Sequence, residues 1–230
     1  MRSLRCSSLR PNLGRLDRRI SRQPPSQRRS PRLPERPRLV IASGNAGKIG
    51  EFRDLLAGAG VDLVAFDTGI DEVGKTYAEN ATLKAETAAA RTGLPAIGDD
   101  SGVEVEALEG FPGIRSARLG PTQKERTAEL LRRLEGVPRP WHGRFVSVIA
   151  LAVPGQKTRL FEGEVRGEIV PEWRGTAGFG YDPIFLVPGT GKTFGEMPPE
   201  EKRKYSHRAR AARALLESGA LELGKHGKEM

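Results

Sequence analysis

Two long strand-like runs, RFVSVIALAV (144–153) and TRLFEGEVRGEIV (158–170), are joined through a Pro-Gly turn, and they constrain the fold more than any other feature of this 230-residue chain. Strand-like runs on either side of such a turn pair as an antiparallel hairpin. RLVIAS (38–43) demands something different. It is an apolar run ending at Gly44, and KIGEFRDLLAGAG behind it sets Ile49, Phe52, Leu55 and Leu56 on one helical face. Strand, glycine turn and helix together open an α/β crossover. A chain that contains both hairpins and crossovers must build a mixed sheet, not an all-parallel one.

The remaining punctuation fits that plan. VDLVAF (61–66) reads as the next strand, and the pair Thr76 and Glu79 as a capping box for an Ala-rich helix to Arg91 that Gly93 stops. PAIGDDSGVEVEAL predicts a strand, a tight turn at Ser101-Gly102 and a second strand. Thr122 and Glu125 predict another capping box with a helix through Leu134, and one long helix is expected from Pro199 to Glu217. No fixed-period repeat is present. The longest apolar run, 146–153, falls far short of the roughly 20 residues that span a bilayer, so no membrane partner is expected.

The net charge of +9 raises the question of nucleic acid, and its location answers it. Of the 38 basic and 29 acidic residues, twelve arginines and two acids lie in 1–38, leaving 26 basic and 27 acidic residues for the rest. All the excess sits on a stretch rich in Arg, Ser and Pro, whose sparse apolar residues cannot offset the entropy of ordering. Residues 1–37 are therefore expected to be a disordered extension, and 38–230 the folded domain. The extension reads as an organelle-targeting peptide, a basic arm for nucleic acid, or a leader with no role; twelve Arg beside no Lys favours the last. A lone Cys6 forms no internal disulfide and suits a reducing compartment, hence an expected cytoplasmic location, with targeting by the extension left open.

The segment PGTGKT (188–193) imitates a phosphate-binding loop and fails the test. Gly191, Lys192 and Thr193 fit G-x-x-x-x-G-K-[ST], but the required first glycine falls on Leu186. Gly195, Pro198 and Pro199 would break the helix that must follow. It reads as a turn.

Four other stretches carry polar residues that a plain scaffold does not need. SGNAGK (43–48) is a strand-to-helix turn with a lysine, suited to phosphate, although α/β turns also use Gly and Asn for backbone reasons alone. GDDSG (98–102) offers adjacent aspartates pointing to opposite faces of a strand end; one faces a ligand or a hard dication, unless it merely caps an Asx turn. GFGYDP (178–183) offers aromatics for a base to stack on, or simply for the core. KRKYSHR (202–208) puts Lys202 and Ser206 on one helical face with His207 and Arg208 a little way round, a pattern also seen on plain solvated helices.

In order, these stretches resemble the family of inosine/xanthosine triphosphate pyrophosphatases. The resemblance runs from Leu39 to about Leu216 through SGNAGKIGEF, TYAENATLKA, LPAIGDDSGVEVEALEGFPGIRSAR, GRFVSVIALA, GFGYDPIF and GKTFGEMPPEEKRKYSHRARA. It implies an elongated two-lobed α/β fold, with a long twisted mixed sheet and flanking helices around a central cleft, generally as a homodimer. It implies hydrolysis of ITP, dITP and XTP to monophosphate and pyrophosphate with Mg²⁺. By matching position, Ser43, Gly44, Asn45, Ala46, Gly47 and Lys48 would hold the triphosphate with Lys84 nearby. Asp100 would be the proton acceptor and a metal ligand, and Glu72 a second metal candidate. Ser101, Phe179, Gly180, Tyr181, Asp182, Lys202, His207 and Arg208 would contact the nucleotide, the last two at the purine edge. Lys48, Lys84, Lys202 and Mg²⁺ would compensate the phosphate charge. The sequence departs from the family pattern after SARLG, where PTQKERTAELL is shortened and Arg126 and Thr127 stand near the family's paired asparagines. Three alternatives stand beside this reading: a Maf-like pyrophosphatase of other specificity, a nucleic-acid-binding protein acting through the extension, and a P-loop ATPase.

Overall fold

A computed structural model describes residues 36–222. The expectations for the Arg-rich extension concern residues that lie, apart from Arg36 and Pro37, outside those described. The order is β1 (Arg38–Ala42), α1 (Ala46–Leu55), β2 (Asp62–Phe66), α2 (Tyr77–Thr92), β3 (Ala96–Val105), α3 (Gln123–Arg133), β4 (Trp141–Ala152), β5 (Arg159–Ile169), β6 (Phe185–Leu186), α4 (Pro199–Tyr205) and α5 (His207–Glu217). Short 3₁₀ turns cover 106–108, 113–118, 182–184 and 194–196. No helix among the described residues is long and apolar enough to cross a membrane.

The six strands form one mixed sheet in the order β2-β1-β3-β4-β5-β6, parallel across β2, β1 and β3 and antiparallel from β3 onward. Crossover-connected and hairpin-connected strands therefore coexist in one sheet. β1 is apolar from Leu39 onward because both its faces are covered there: Leu39 and Ile41 meet α1 and α5, while Val40 and Ala42 meet α2. The α2 side is built from alanines, which let the helix backbone approach closely. A Cβ on Gly98 of β3 would stand 2.3 Å from the Ala81 carbonyl oxygen. A third cluster, around Phe145, Phe185 and Phe194, gathers α3 and the 181–197 segment at the β5–β6 side of the sheet.

Three local expectations are corrected. β3 runs unbroken from Ala96 to Val105, so Ser101-Gly102 is not a turn and the two aspartates lie within the strand rather than at its end. The reason for Gly102 is space, since a Cβ there would lie 2.3 Å from the Gly113 carbonyl oxygen. The expected long C-terminal helix is two helices broken at Ser206, whose extended backbone (ψ 149°) lets its side chain accept from Ala209 N–H and cap α5. Ser206 thus belongs to a cap, not to a face shared with Lys202. At α2, Thr76 accepts from Glu79 N–H, but the Glu79 carboxylate accepts from Lys75 N–H instead of closing the box on Thr76. The box at Thr122 and Glu125 does close.

Candidate active site

The site exists because β1 is shorter than β3. β1 pairs with β3 only at Ala96 and Ile97, then turns through Ser43–Asn45 into α1, leaving β3 without a paired strand on that edge from Gly98 until Glu104 bridges to Pro112. An uncovered carbonyl needs a donor. Two lysines supply it: Lys48 of α1 and Lys84 of α2 both donate to the Asp99 carbonyl oxygen, at 3.2 and 2.7 Å. Strand alternation then sorts the two aspartates. Asp99 shares the α1/α5 face with Ile97, and Asp100 shares the α2 face with Gly98.

On its face Asp99 is fully buried, accepting from Ser147 Oγ at 2.6 Å and lying 2.9 Å from Lys48 Nζ and 3.2 Å from Arg208 Nη2. Burial would raise its carboxyl, yet these cations hold it far below the ordinary carboxylate range. Arg208 also bonds Glu51 through Nη1 and donates to Ser101 Oγ at 2.8 Å. Glu51 in turn holds Lys202 Nζ at 2.6 Å, and Lys202 holds Asp182 at 2.6 Å. The result is a continuous buried chain of alternating charge from Lys48 to Asp182. Glu51 feels burial pushing it up and Arg208 and Lys202 pulling it down, and it settles at about 2. Lys202, opposed by burial, is raised by Asp182 and Glu51. This differs from the expectation that Lys202 compensates phosphate charge: its ammonium is committed to two carboxylates and lies over the rings of Phe179 and Phe194.

His207 opens α5, buried and stacked on Phe145 at 4.7 Å. Burial, and then the neighbouring Arg208 charge, hold its imidazole neutral well below its ordinary pKa. Its Nδ1 is one of the buried polar side-chain atoms with no partner among the described residues. An unsatisfied buried nitrogen on a residue that lines a cavity is a place for a ligand atom.

On the α2 face, Asp100 accepts from Asn80 Nδ2 at 3.0 Å and from Ser101 N–H at 3.1 Å, with Lys84 Nζ at 3.5 Å. Burial outweighs the lysines and raises its pKa, making it the better proton acceptor of the two aspartates. Glu72 reaches the same lysine at 2.6 Å, and Lys84 holds it below its usual value against burial. Asp100 and Glu72 therefore flank one ammonium group. Among the described residues no cluster of three or more metal-ligating side chains occurs. Two carboxylates beside open space fit a hard dication of the magnesium kind, which takes one or two protein carboxylates and completes its shell with water and substrate oxygens.

Two cavities meet here. The larger, about 1170 Å³, takes in Ser43, Gly44, Asn45, Lys48, Glu72 and Lys84. The smaller, about 170 Å³, takes in Asp100, Ser101, Phe179, Gly180, Tyr181, Asp182, Lys202, His207 and Arg208. Asn45, Lys48 and Glu72 line both. Ala46 and Gly47 line neither; Ala46 opens α1, and Gly47 has a steric reason, since a Cβ there would meet the Phe179 ring at 2.6 Å. Gly44 likewise leaves room for Asp67. Lys192 is elsewhere, paired with Glu201 at 2.9 Å after a turn through Gly189 and Gly191. Sequence reasoning missed Asn80 and Glu51. The available signal was helical spacing, Asn80 lying four residues before Lys84 and Glu51 three after Lys48.

The Ham1 family model matches residues 39–218. The chain is 49% identical over 185 residues to a dITP/XTP pyrophosphatase of Symbiobacterium thermophilum, covering 78% of this chain and 93% of that protein. It is 49% identical over 190 residues to a dITP/XTP pyrophosphatase of Thermus thermophilus, covering 79% and 91%. Among solved structures it is similar to a HAM1 protein from Coxiella burnetii, with a TM-score of 0.72, 37% identity, and 80% and 98% coverage. The Staphylococcus aureus Ham1 protein gives a TM-score of 0.70 at 38% identity, covering 80% and 98%.

Proposed function

The chain belongs to the Ham1 family, and from that membership and the geometry of the cleft we infer an enzyme that hydrolyses non-canonical purine nucleoside triphosphates, dITP and XTP among them, to the monophosphate and pyrophosphate. The observation that carries the inference is the junction of the two cavities at Asn45, Lys48 and Glu72. A narrow aromatic pocket with an unpartnered imidazole nitrogen opens directly into a wide polar space with two lysines, which is the shape of a base joined to a polyphosphate.

In this reading the base enters between Phe179 and the N-terminus of α5. The neutral His207, with Arg208 and Ser101 behind it, presents donors to the six-oxo edge of hypoxanthine or xanthine; adenine, with an amino donor there, would leave donor facing donor. The phosphates run along Ser43–Asn45 and the start of α1 toward Lys84. Asp100, held by Asn80 and Ser101 N–H, accepts a proton from the attacking water as its oxygen bonds to the α-phosphorus. The bond from that phosphorus to the bridging oxygen breaks, and the electron pair leaves with pyrophosphate. Mg²⁺, held by Asp100 and Glu72, would supply positive charge on the polyphosphate when bound. Because Lys48 and Lys84 are partly neutralised by carboxylates, such added charge suits a substrate of about four negative charges. A homodimer is part of the proposal, to be checked by sedimentation.

The test is to incubate the purified chain with Mg²⁺ and dITP, XTP, ATP or GTP and identify the phosphate released. Pyrophosphate from dITP and XTP with little from ATP is expected; orthophosphate from ATP would overturn the reading.

A further inference from the structure

The pocket for the base has a second cationic wall that the reading above leaves unused. Its lining includes Arg126, in the first turn of α3, on the side where the buried Tyr181 phenol donates to the Ser116 carbonyl oxygen at 2.8 Å. Arg126 lies within electrostatic reach of that phenol. The other cations of the pocket are spoken for, with Lys48 on Asp99, Lys202 on Glu51 and Asp182, and Arg208 on Asp99 and Glu51. Among the described residues that line this pocket, Arg126 is the cation that enters no ion pair. Its hydrogen bonds come from Nη1 alone, to the carbonyl oxygens of Gly120 at 3.0 Å and Pro121 at 3.4 Å. The N–H groups of Nε and Nη2 are unused.

We propose that Arg126 reads position 2 of the purine, as a specificity-determining residue that favours xanthine, tolerates hypoxanthine and excludes guanine. The inference rests on the functional reading above, in which α5 takes the six-oxo edge. Positions 2 and 6 lie on the same six-membered ring, so a base whose C6 faces α5 turns its C2 toward another wall, and Arg126 supplies a charged donor there. A guanidinium has only donors to offer. Xanthine presents an oxygen at C2, and xanthosine also loses its N3 proton readily, which places negative charge beside that oxygen. Hypoxanthine presents only C–H. Guanine presents an amino donor, so two donors would face each other in a desolvated pocket, the arrangement by which a polar site rejects a near-isostere.

The experiment compares kcat/KM for XTP, ITP and GTP in the intact chain, Arg126→Lys and Arg126→Gln, together with calorimetric binding of XMP, IMP and GMP and the thermal midpoint of each variant. Glutamine can turn a carbonyl toward the pocket where arginine cannot. In Arg126→Gln the XTP:ITP ratio is expected to fall about tenfold and the GTP:ITP ratio to rise, with the same trends in monophosphate binding. Arg126→Lys, which keeps the charge, should retain most of the xanthine preference. Loss of the Gly120 and Pro121 contacts alone would depress all three substrates together and leave the ratios unchanged, and that result would overturn the inference. An intact chain that releases pyrophosphate from none of the three would overturn the functional reading itself, before any variant is considered.

Discussion

The two ends of the cleft solve opposite problems with the same residue types. On the α5 side of the base end the charges are buried and paired before any ligand arrives: Arg208 is 2% exposed and Asp99 1%, and Lys202 and Arg208 each have a carboxylate in hydrogen-bond contact. At the phosphate end the cavity is wide, and Glu72 and Arg118 remain partly exposed, with Arg118 half solvated beside Glu72. A purine is neutral or carries one charge and must be recognised by position, so the walls that touch it are fixed by a rigid network. A triphosphate carries several charges and an accompanying ion, so it is better served by open space and donors that can rearrange. The difference teaches that charge in an active site is not one resource. In the proposed reading it maintains shape at one end and meets the substrate at the other.

The sharpest way to break that comparison is to remove one charge beside Lys84, close to where the two cavities meet, and one from the buried network. Asp100→Asn keeps the side-chain shape and should lower kcat by about 10² to 10⁴ while leaving stability equal or higher, because burial already disfavours the ionised Asp100 in the folded state. Lys192→Ala, outside both cavities, should change kcat by less than about twofold. Steady-state kinetics with dITP beside thermal melts checks both; a large loss in Lys192→Ala would return the phosphate chemistry to PGTGKT.

At the base end the loss should appear in the fold. Arg208→Met takes one of two cations from each of the buried carboxylates Asp99 and Glu51, leaving them Lys48 and Lys202, and should cost about 3–5 kcal/mol in urea unfolding. If stability is unchanged while activity disappears, the network is not the scaffold described here. A smaller effect sharpens the same point through pH. Glu51 has its pKa lowered from 4.5 to about 2, so between those values the unfolded chain binds more protons than the folded one. Its stabilising contribution is complete above about pH 4.5 and is lost as the pH falls toward 2. The stability gap between the intact chain and Glu51→Gln should therefore narrow over that window, and a gap independent of pH would show that Glu51 is not held ionised by its partners.

Much of the fold was legible because its signals are local. The Thr122–Glu125 box, the Gly93 stop with its left-handed φ of 70°, the hairpin at Pro154-Gly155 and the rejection of PGTGKT each depend on residues a few positions apart. The errors also have local causes. Ser101-Gly102 carries turn residues inside a strand because Gly102 makes room for the Gly113 carbonyl, a neighbour from outside the strand. Ser206 ends one helix and starts the next with no glycine or proline at the break to announce it. Most candidate residues were found as four separate stretches, with Lys84 and Glu72 added by the resemblance, and their convergence on one cleft, with Ala46 and Gly47 outside its two cavities, was not readable from any single stretch.

The sequence by itself determined the mixed sheet, the alternation that sends Asp99 and Asp100 to opposite faces, and the family to which the blocks belong, because periodicity and spacing are properties of the covalent chain. The tertiary structure alone decided that β1 stops short and bares the Asp99 carbonyl to two lysines, and that Lys202 is tied to Glu51 and Asp182 instead of standing free. It alone decided that Arg126 faces the pocket without a carboxylate. The physical reason is that a charge is defined by what lies within a few ångströms of it, and those neighbours, up to 157 positions apart in the chain, meet only when the sheet and its helices close.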